Sequence, residues 1–502
     1  MRTTLLWSLW IIGTLAIAGA VATRLYLGGD RTAFLPGDTA GVHHQIEMAC
    51  ETCHTSDDFS DQKKIRKDIN KTCVTCHKEE LKEANDSHPI KKFKNPRMAA
   101  YWEKIDARFC TSCHLEHQPE VTLAGLVTLP GDFCVACHSE GEQDVRVNRP
   151  SHAGLEFDTC ASSGCHNYHD NKALYEDYLV KHSGQPWLSD TPLHAAGAVA
   201  RAVSVRVPET ADHQAEISTY LAALDAPEQY RDPAIDDHWA ASAHAAADVT
   251  CASCHAPKSK TPDQIADNWV ASPPQKICAS CHKSEAGTFA MGRHGMRSHP
   301  KVAKPRKVKS MLKDLGWKKP PAEVVSAIER FVSDPSPAPL MSTAEARVAL
   351  HPDVGNQDLT CASCHKPHEQ DLQFAAVEAC LSCHADDHSQ SYKDSPHFDL
   401  WQAELAGDLL PGAGVTCATC HMPQTERGGV VTTNHNQNDT LRPNEKMIRP
   451  VCLDCHSLEF AIDALADDQL ISRNFQGTPI RHIESIDWAV KRVVQPEKGA
   501  NQ

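Results

Sequence analysis

Aromatic side chains are scarce in this chain. Its 502 residues hold only 12 Phe, 9 Trp and 8 Tyr. A chain this long has room for two or three domains, but so few large rings cannot fill cores of that size unaided. Long apolar runs are also missing after the first 26 residues, so at most one segment can span a bilayer. Positive charge is in deficit, with 50 Lys and Arg against 65 Asp and Glu and a formal net charge of −15. That balance argues against a nucleic-acid-binding face and suits a soluble surface that meets cationic partners. The 31 prolines point to a loop-rich chain. Finally, no cysteine is left over.

The 22 cysteines form eleven pairs, and a histidine follows the second member of each. Ten pairs read Cys-x-x-Cys-His: Cys50/Cys53/His54, Cys73/Cys76/His77, Cys110/Cys113/His114, Cys134/Cys137/His138, Cys251/Cys254/His255, Cys278/Cys281/His282, Cys361/Cys364/His365, Cys380/Cys383/His384, Cys417/Cys420/His421 and Cys452/Cys455/His456. The eleventh, Cys160/Cys165/His166, is stretched to Cys-x4-Cys-His, and its two extra residues must loop out. A disulfide framework accounts for an even cysteine number but not for the histidines. A zinc ribbon needs no fixed histidine after each knuckle. The pattern is the attachment signature of c-type haem, in which the two sulfurs form thioethers with the vinyl groups and the histidine is the proximal iron ligand. Eleven covalently bound haem c groups are therefore expected. As large flat apolar bodies they take over much of the core that aromatic residues would otherwise build, and their propionates add acidity. The expected fold is mainly α, a loop-rich multihaem cytochrome c with little or no β-sheet, comprising two haem-packed domains and one N-terminal membrane helix.

Five motifs lie between Cys50 and His166, and six between Cys251 and His456. This spacing divides the chain into a membrane anchor or signal peptide (1–27), a pentahaem domain (28–185), a partly helical connector (186–237), a hexahaem domain (238–475) and a C-terminal helix and tail (476–502). Residues 5–22 are apolar or small, Arg2 precedes them, and Trp7, Trp10 and Tyr26 sit near the ends as interfacial aromatics do. Ala18-Gly19-Ala20 and Ala20-Val21-Ala22 also offer cleavage sites. An anchor places the bulk on the periplasmic side of the cytoplasmic membrane; cleavage gives a soluble periplasmic or secreted protein. Residues 301–320 carry eight basic side chains against one acidic, Asp314, and suit either an acidic partner or lipid head groups, or the neutralisation of nearby propionates. Val324, Val325, Ile328, Phe331 and Val332 predict an amphipathic helix begun by Pro320-Pro321 and ended by Pro335, Pro337 and Pro339. Helices are predicted at 458–465 and 483–494, packed on the haem core or on a partner subunit of an oligomer or larger complex.

Nineteen histidines remain after the proximal eleven, enough for every iron to take a second one. His117, His169, His368 and His388 follow proximal histidines by three or four residues. On a helix this places them on the same side, so they reach an adjacent haem and not their own. His43 or His44, His152, His244 and His351 precede motifs by short loops. His88, His182, His294, His299, His397 and His435 are further distal candidates. His194, His213 and His482 have no nearby motif and read as structural or surface residues.

The C-terminal half resembles the superfamily of cytochrome c nitrite reductase and hydroxylamine oxidoreductase. The resemblance rests on Tyr392-Lys393-Asp394-Ser395-Pro396-His397-Phe398, Trp401, Gly414-Val415-Thr416-Cys417-Ala418-Thr419-Cys420-His421-Met422-Pro423, Asn434-His435-Asn436 and Cys452-Leu453-Asp454-Cys455-His456, and covers roughly 238–475. It implies that His397 and His435 are distal ligands and that haems pack in parallel and perpendicular pairs. The N-terminal half resembles small multihaem cytochromes and pentahaem electron-transfer modules, by motif density and Cys-His-x-x-His. The chain lacks the Cys-x-x-Cys-Lys motif of the catalytic haem of nitrite reductase, and no tyrosine follows Tyr392 to cross-link a haem as in hydroxylamine oxidoreductase. The primary expectation is thus an electron carrier served by redox partner proteins, including a quinol-linked membrane donor, with no role in nucleic-acid binding. The alternative is an oxidoreductase acting on a small nitrogen or sulfur compound (nitrite, hydroxylamine or tetrathionate type) at one open haem of the C-terminal half. There Arg293, His294, Tyr392 or Arg442 would supply charge and protons.

Overall fold

The computed structural model describes residues 2–26, 34–56, 58, 60–84, 88–121, 126–138, 150–152, 165–170, 174–188, 211–303, 307–314, 316–331, 346, 348–354, 359–369, 372–410, 412–427, 430–441 and 444–483. Helices dominate and most are one or two turns long. Among the longer ones are α1 (Arg2–Tyr26), α2 (Gln62–Glu83), α3 (Ala211–Ala222), α4 (Pro233–Ala240), α5 (Ala322–Phe331), α6 (Pro396–Ala406) and α7 (Leu458–Leu465). The one sheet among the described residues is a hairpin, β1 (Gln424–Arg427) antiparallel to β2 (Val430–Thr433), with Gln424 opposite Thr433. Strand-forming Val430, Val431, Thr432 and Thr433 supply β2.

In α1 the span Thr3–Thr23 has a mean hydropathy of 2.0 and no part of it is buried. Its hydroxyls are satisfied internally. Ser8, Thr14 and Thr23 each donate to the carbonyl four residues back, at 2.9, 2.8 and 2.7 Å. This is what a helix surrounded by hydrocarbon requires. Length and composition suit an anchor or a signal sequence equally.

The apolar core is a set of small islands. The largest joins Leu174 and Leu179 to Met447, Ile448, Leu458, Ala461, Ile462 and Leu465, so the end of the first motif group and the end of the second share one cluster. A second gathers Val377, Leu381, Tyr392 and Trp401. A third holds Trp239, Ala240 and Ala245, covered by Ile217, Tyr220 and Leu221 of α3 and by Leu224. The described part of the stretch read as a connector thus packs on the C-terminal half. The halves also meet where the Ala303 amide donates to Thr52 Oγ1 at 2.8 Å and the Ser457 amide to the Trp187 carbonyl at 3.2 Å. Helix α5 forms where the periodicity predicts it, and α7 matches its predicted bounds. All but the first residue of the 483–494 helix lies outside the described residues.

Ile448 is fully buried at the junction island. Replacing it with alanine should cost ~2–5 kcal/mol of stability, whereas alanine at exposed Leu410 should cost far less. Denaturant unfolding of the two variants checks this, and equal midpoints would contradict a shared core.

Candidate functional site

Most of the described attachment motifs form a single helical turn. In the shorter motifs the amide of the histidine donates to the carbonyl of the first cysteine, as His54 does to Cys50 at 2.8 Å, His282 to Cys278 at 2.9 Å and His456 to Cys452 at 2.8 Å. That one bond brings two sulfurs and an imidazole toward a common point. Three turns carry a reciprocal cap. Thr250 and Ser253, Thr360 and Ser363, and Thr416 and Thr419 exchange side-chain and backbone bonds across the first turn. The pattern Thr-Cys-x-Ser/Thr-Cys encodes this cap, because the hydroxyl residue between the cysteines is the third helical position. The motif at Cys73 lies instead inside α2, whose start is capped by Asp61 accepting from the Lys63 and Lys64 amides at 2.9 and 3.0 Å.

Several of the imidazoles are oriented by bonds at Nδ1, whereas the Nδ1 of His421 is buried without a hydrogen-bond partner. His114 faces the Leu126 carbonyl at 2.8 Å, His255 that of Val270 at 2.7 Å, His456 that of Trp187 at 3.2 Å, and His117 that of Gly37 at 2.7 Å. His388 and His435 use the carbonyls of Ile471 and Thr433, at 2.5 and 3.0 Å. A carbonyl is only an acceptor, so Nδ1 carries the proton and Nε2 keeps its lone pair for a metal. Gly37 has a steric reason to be glycine, since a Cβ there would stand 2.5 Å from the His117 carbonyl oxygen. The β1–β2 hairpin delivers the chain to His435, whose amide donates to Thr288 Oγ1 at 3.0 Å.

The proximal rings face second histidines. Ring centroids lie 6.1 Å apart for His43 and His77, 6.0 Å for His88 and His138, 6.2 Å for His114 and His169, and 6.1 Å for His152 and His166. In the second group the separations are 6.2 Å for His244 and His282, 6.0 Å for His255 and His368, 6.2 Å for His294 and His384, 6.1 Å for His365 and His435, 6.1 Å for His388 and His421, and 6.2 Å for His397 and His456. The remaining proximal ring, His54, has its proton affinity lowered first by burial and then by His117 beside it. Two imidazoles bound on opposite sides of one metal, each nitrogen ~2 Å away, have centres ~6 Å apart. The donor set and its spacing therefore fit a six-coordinate iron at each of these ten pairs. Burial pushes His294, His397 and His421 down to about 4, which leaves them neutral, the state in which imidazole binds metal.

The other candidate histidines have other neighbours. Of His43 and His44, the structure sets His43 opposite a proximal ring, while His44 lies 3.4 Å from Glu47. His182 packs on Tyr178, and His351 turns Nε2 to the Leu381 carbonyl at 3.1 Å. His299 Nδ1 accepts from the Lys301 amide at 3.1 Å. His482 pairs with buried Asp463 at 3.1 Å. His194, the side chain of His213, Cys160 and Arg442 lie outside the described residues. Of the four histidines that closely follow a motif, His169, His368 and His388 face the proximal ring of a different motif and His117 lies near His54, none of them from a continuous helix. The chain leaves helix after His114 and His365, and His117 itself sits at φ 64°. Of the residues considered for catalysis, His294 faces His384 and the Tyr392 hydroxyl donates to the Val415 carbonyl at 2.7 Å. Arg293 Nε donates to Asn438 Oδ1 at 3.3 Å.

Cys281 stands out among the attachment cysteines. The sequence places it among the attachment sulfurs of a haem-packed domain, yet it is exposed, as is Cys53, whereas the other described cysteines are partly buried. The reason is its position. Cys281 ends a one-turn helix, Cys278–Cys281, and His282 and Lys283 after it are exposed as well. The nearest polar atom to its sulfur is that of its own neighbour, Ser280 Oγ at 3.8 Å. This turn therefore stands at the surface of its half. A thioether sulfur needs access to a vinyl group and not enclosure, so the exposure is compatible with attachment there.

Successive motifs lie near one another in chain order. Cys53 senses Cys76, Cys73 bonds Cys110, and Cys113 senses Cys137. His166 feels His138 and His88. In the second run Cys254 senses both Cys278 and Cys281. The run continues through Cys278 and Cys361, Cys364 and Cys380, Cys380 and Cys417, and Cys420 and Cys455. Cys165 and Cys452 both pack on the largest apolar island, where the two runs meet.

A family model described as cytochrome c3 matches residues 42–139, and one described as cytochrome c552 matches 231–301 and 389–466. The chain is a multihaem c-type cytochrome. Its haem c is covalently held, and its two halves correspond to these two matches. The cytochrome c3 match spans the first four attachment motifs, and the cytochrome c552 match spans those at Cys251, Cys278, Cys417 and Cys452. Neither a curated protein nor a solved structure matches the chain.

Ring planes separate the cytochrome's histidine pairs into kinds. They are nearly parallel for His114/His169 (16°) and His255/His368 (11°), and nearly perpendicular for His88/His138 and His388/His421 (87° each). Parallel ligand planes split the iron d orbitals and perpendicular ones leave them near-degenerate. Paramagnetic resonance of the oxidised protein should thus show both rhombic and strongly axial low-spin signals. His388→Ala should remove one axial signal and add one high-spin signal, and an unchanged spectrum would contradict the pairing.

Proposed function

We propose that this cytochrome carries eleven haems, each with two histidine ligands, and moves electrons on the periplasmic side of the cytoplasmic membrane. The observation that carries this reading is the facing histidine at ten of the eleven proximal rings, with His117 near the eleventh, His54. Bound haem supplies one-electron exchange at iron and a conjugated ring through which an electron passes to a neighbour. The chain's own residues do the rest. Cysteines fix each group covalently, main-chain carbonyls aim the ligand rings, and a thin shell keeps adjacent sites close. The chain-order contacts between motifs support one continuous path, and the island shared by Cys165 and Cys452 supports its passage between halves. An apolar first helix supports attachment to the membrane or export across it.

The alternative enzyme at an open haem requires a proximal histidine with nothing opposite. In the C-terminal half His255, His282, His365, His384, His421 and His456 each face a partner ring. Accordingly, carbon monoxide added to the reduced protein should leave its spectrum unchanged, and His397→Ala should create one carbon monoxide site. Binding by the unaltered protein would overturn the closed-iron reading and restore the enzyme.

We further propose that the basic stretch docks an acidic redox partner. Lys301, Lys307, Lys309, Lys313, Lys318 and Lys319 are exposed, while Val302, Val308, Met311 and Leu312 hold the segment down. Its start adjoins the second motif, where His299 Nδ1 lies 3.9 Å from Cys76 Sγ. Replacing Lys307, Lys309 and Lys313 with glutamine should slow reduction by an acidic donor several-fold at low salt and abolish its salt dependence. An unchanged rate would remove the docking role.

A further inference from the structure

One histidine pair is held by carboxylates on both sides. His77 Nδ1 lies 2.9 Å from Glu80 Oε2, one turn further along α2, and His43 Nδ1 lies 2.6 Å from Glu116 Oε1. The acceptors named above for the other rings are main-chain carbonyls. A carboxylate differs from a carbonyl by a full negative charge, and its bond to a ring N–H is the stronger kind. It draws the ring toward imidazolate, raises the basicity of Nε2 and stabilises the more positive metal. Glu116 is fixed for this role, since its second oxygen accepts the Ala40 amide at 2.9 Å. Glu80 is different. Its second oxygen, Oε1, lies 3.4 Å from Lys446 Nζ, which comes from the other half of the chain, 366 residues away. With Cys76 beside His299, the site sits on the seam between the halves.

We propose that Glu80 and Glu116, acting through His77 and His43, make the haem at Cys73 and Cys76 the most reducing of the N-terminal group, and that Lys446 offsets part of this effect. The three are positioning residues for the ligand rings. The inference rests on the bis-histidine reading above. It implies a step in potential at the seam, whose height depends on how the C-terminal half presents one lysine.

Opposite signs make the idea testable. A redox titration of the holoprotein, followed by visible absorption and paramagnetic resonance, compares the unaltered chain with Glu80→Gln, Glu116→Gln and Lys446→Gln. Each glutamine at a glutamate should raise the same low-potential component by threefold to tenfold in its one-electron equilibrium, about 30–59 mV. Lys446→Gln should lower it. Midpoints that stay put while all signals remain low-spin overturn the tuning and leave the ligation standing. A shift in the same direction for Lys446→Gln and Glu80→Gln also overturns it, since that marks a disturbed seam and not a charge effect. Glu116 bonds His43 and Ala40 of its own half, and Glu116→Gln decides the matter if Glu80→Gln disrupts folding. A high-spin component in the unaltered protein would instead overturn the bis-histidine reading beneath.

Discussion

Two neutral imidazoles held about one metal's width apart, with their bare nitrogens facing, are the constraint on which the rest of this molecule depends. Such rings do not hold that position by themselves, because each can rotate and each can lose its lone pair to a proton. The chain solves both problems with the same contact. A carbonyl or carboxylate at Nδ1 fixes the ring plane and fixes the tautomer. For His114, His117, His255, His388, His435 and His456 that contact comes from the main chain, so the backbone path is dictated by where a carbonyl is needed. The hairpin before His435 and the close approach of Gly37 to His117 follow from this need.

The same demand explains the broken architecture. A long helix presents side chains but no spare carbonyls, since its own ladder consumes them. Short turns and irregular links leave carbonyls available, and the described chain is largely built of them. The apolar islands are correspondingly small, and the largest of them serves to clamp the two motif groups together through Leu174, Leu179, Ile448 and Leu458. Helix α2 is the exception. It carries a motif in mid-helix, where the ladder consumes the carbonyls, and there the Nδ1 partner is a side chain, Glu80. The carboxylate at His77 is thus a consequence of local helical structure before it is a tuning device.

Attachment chemistry, the mainly helical character and the division into two groups were legible in the order of cysteines and histidines. So was the idea that His117, His169, His368 and His388 serve another motif, although the geometric argument assumed a helix and the chain takes turns there instead. The choice between His43 and His44 was not legible, because adjacent residues differ only in which way a turn points them. His43 meets His77, and His44 turns to Glu47. His351 failed for a similar reason. It precedes a motif at a plausible distance, but its amide bonds the Cys383 carbonyl and its ring spends Nε2 on another carbonyl. Nor does a Cys-x-x-Cys-His motif say how deep it lies, which is why the exposure of Cys281 could not be read from spacing. The caps Thr250, Thr360 and Thr416 were written plainly in the sequence, and a search for helix starts at each motif would have found them. Carbonyl acceptors carry no such signal, since every residue has one.

The most direct test of the central claim is a Mössbauer spectrum of the oxidised protein enriched in iron-57, scaled to the amount of polypeptide. The account predicts low-spin ferric iron alone, integrating to eleven atoms per chain. A high-spin component, or a total short of eleven, would contradict it.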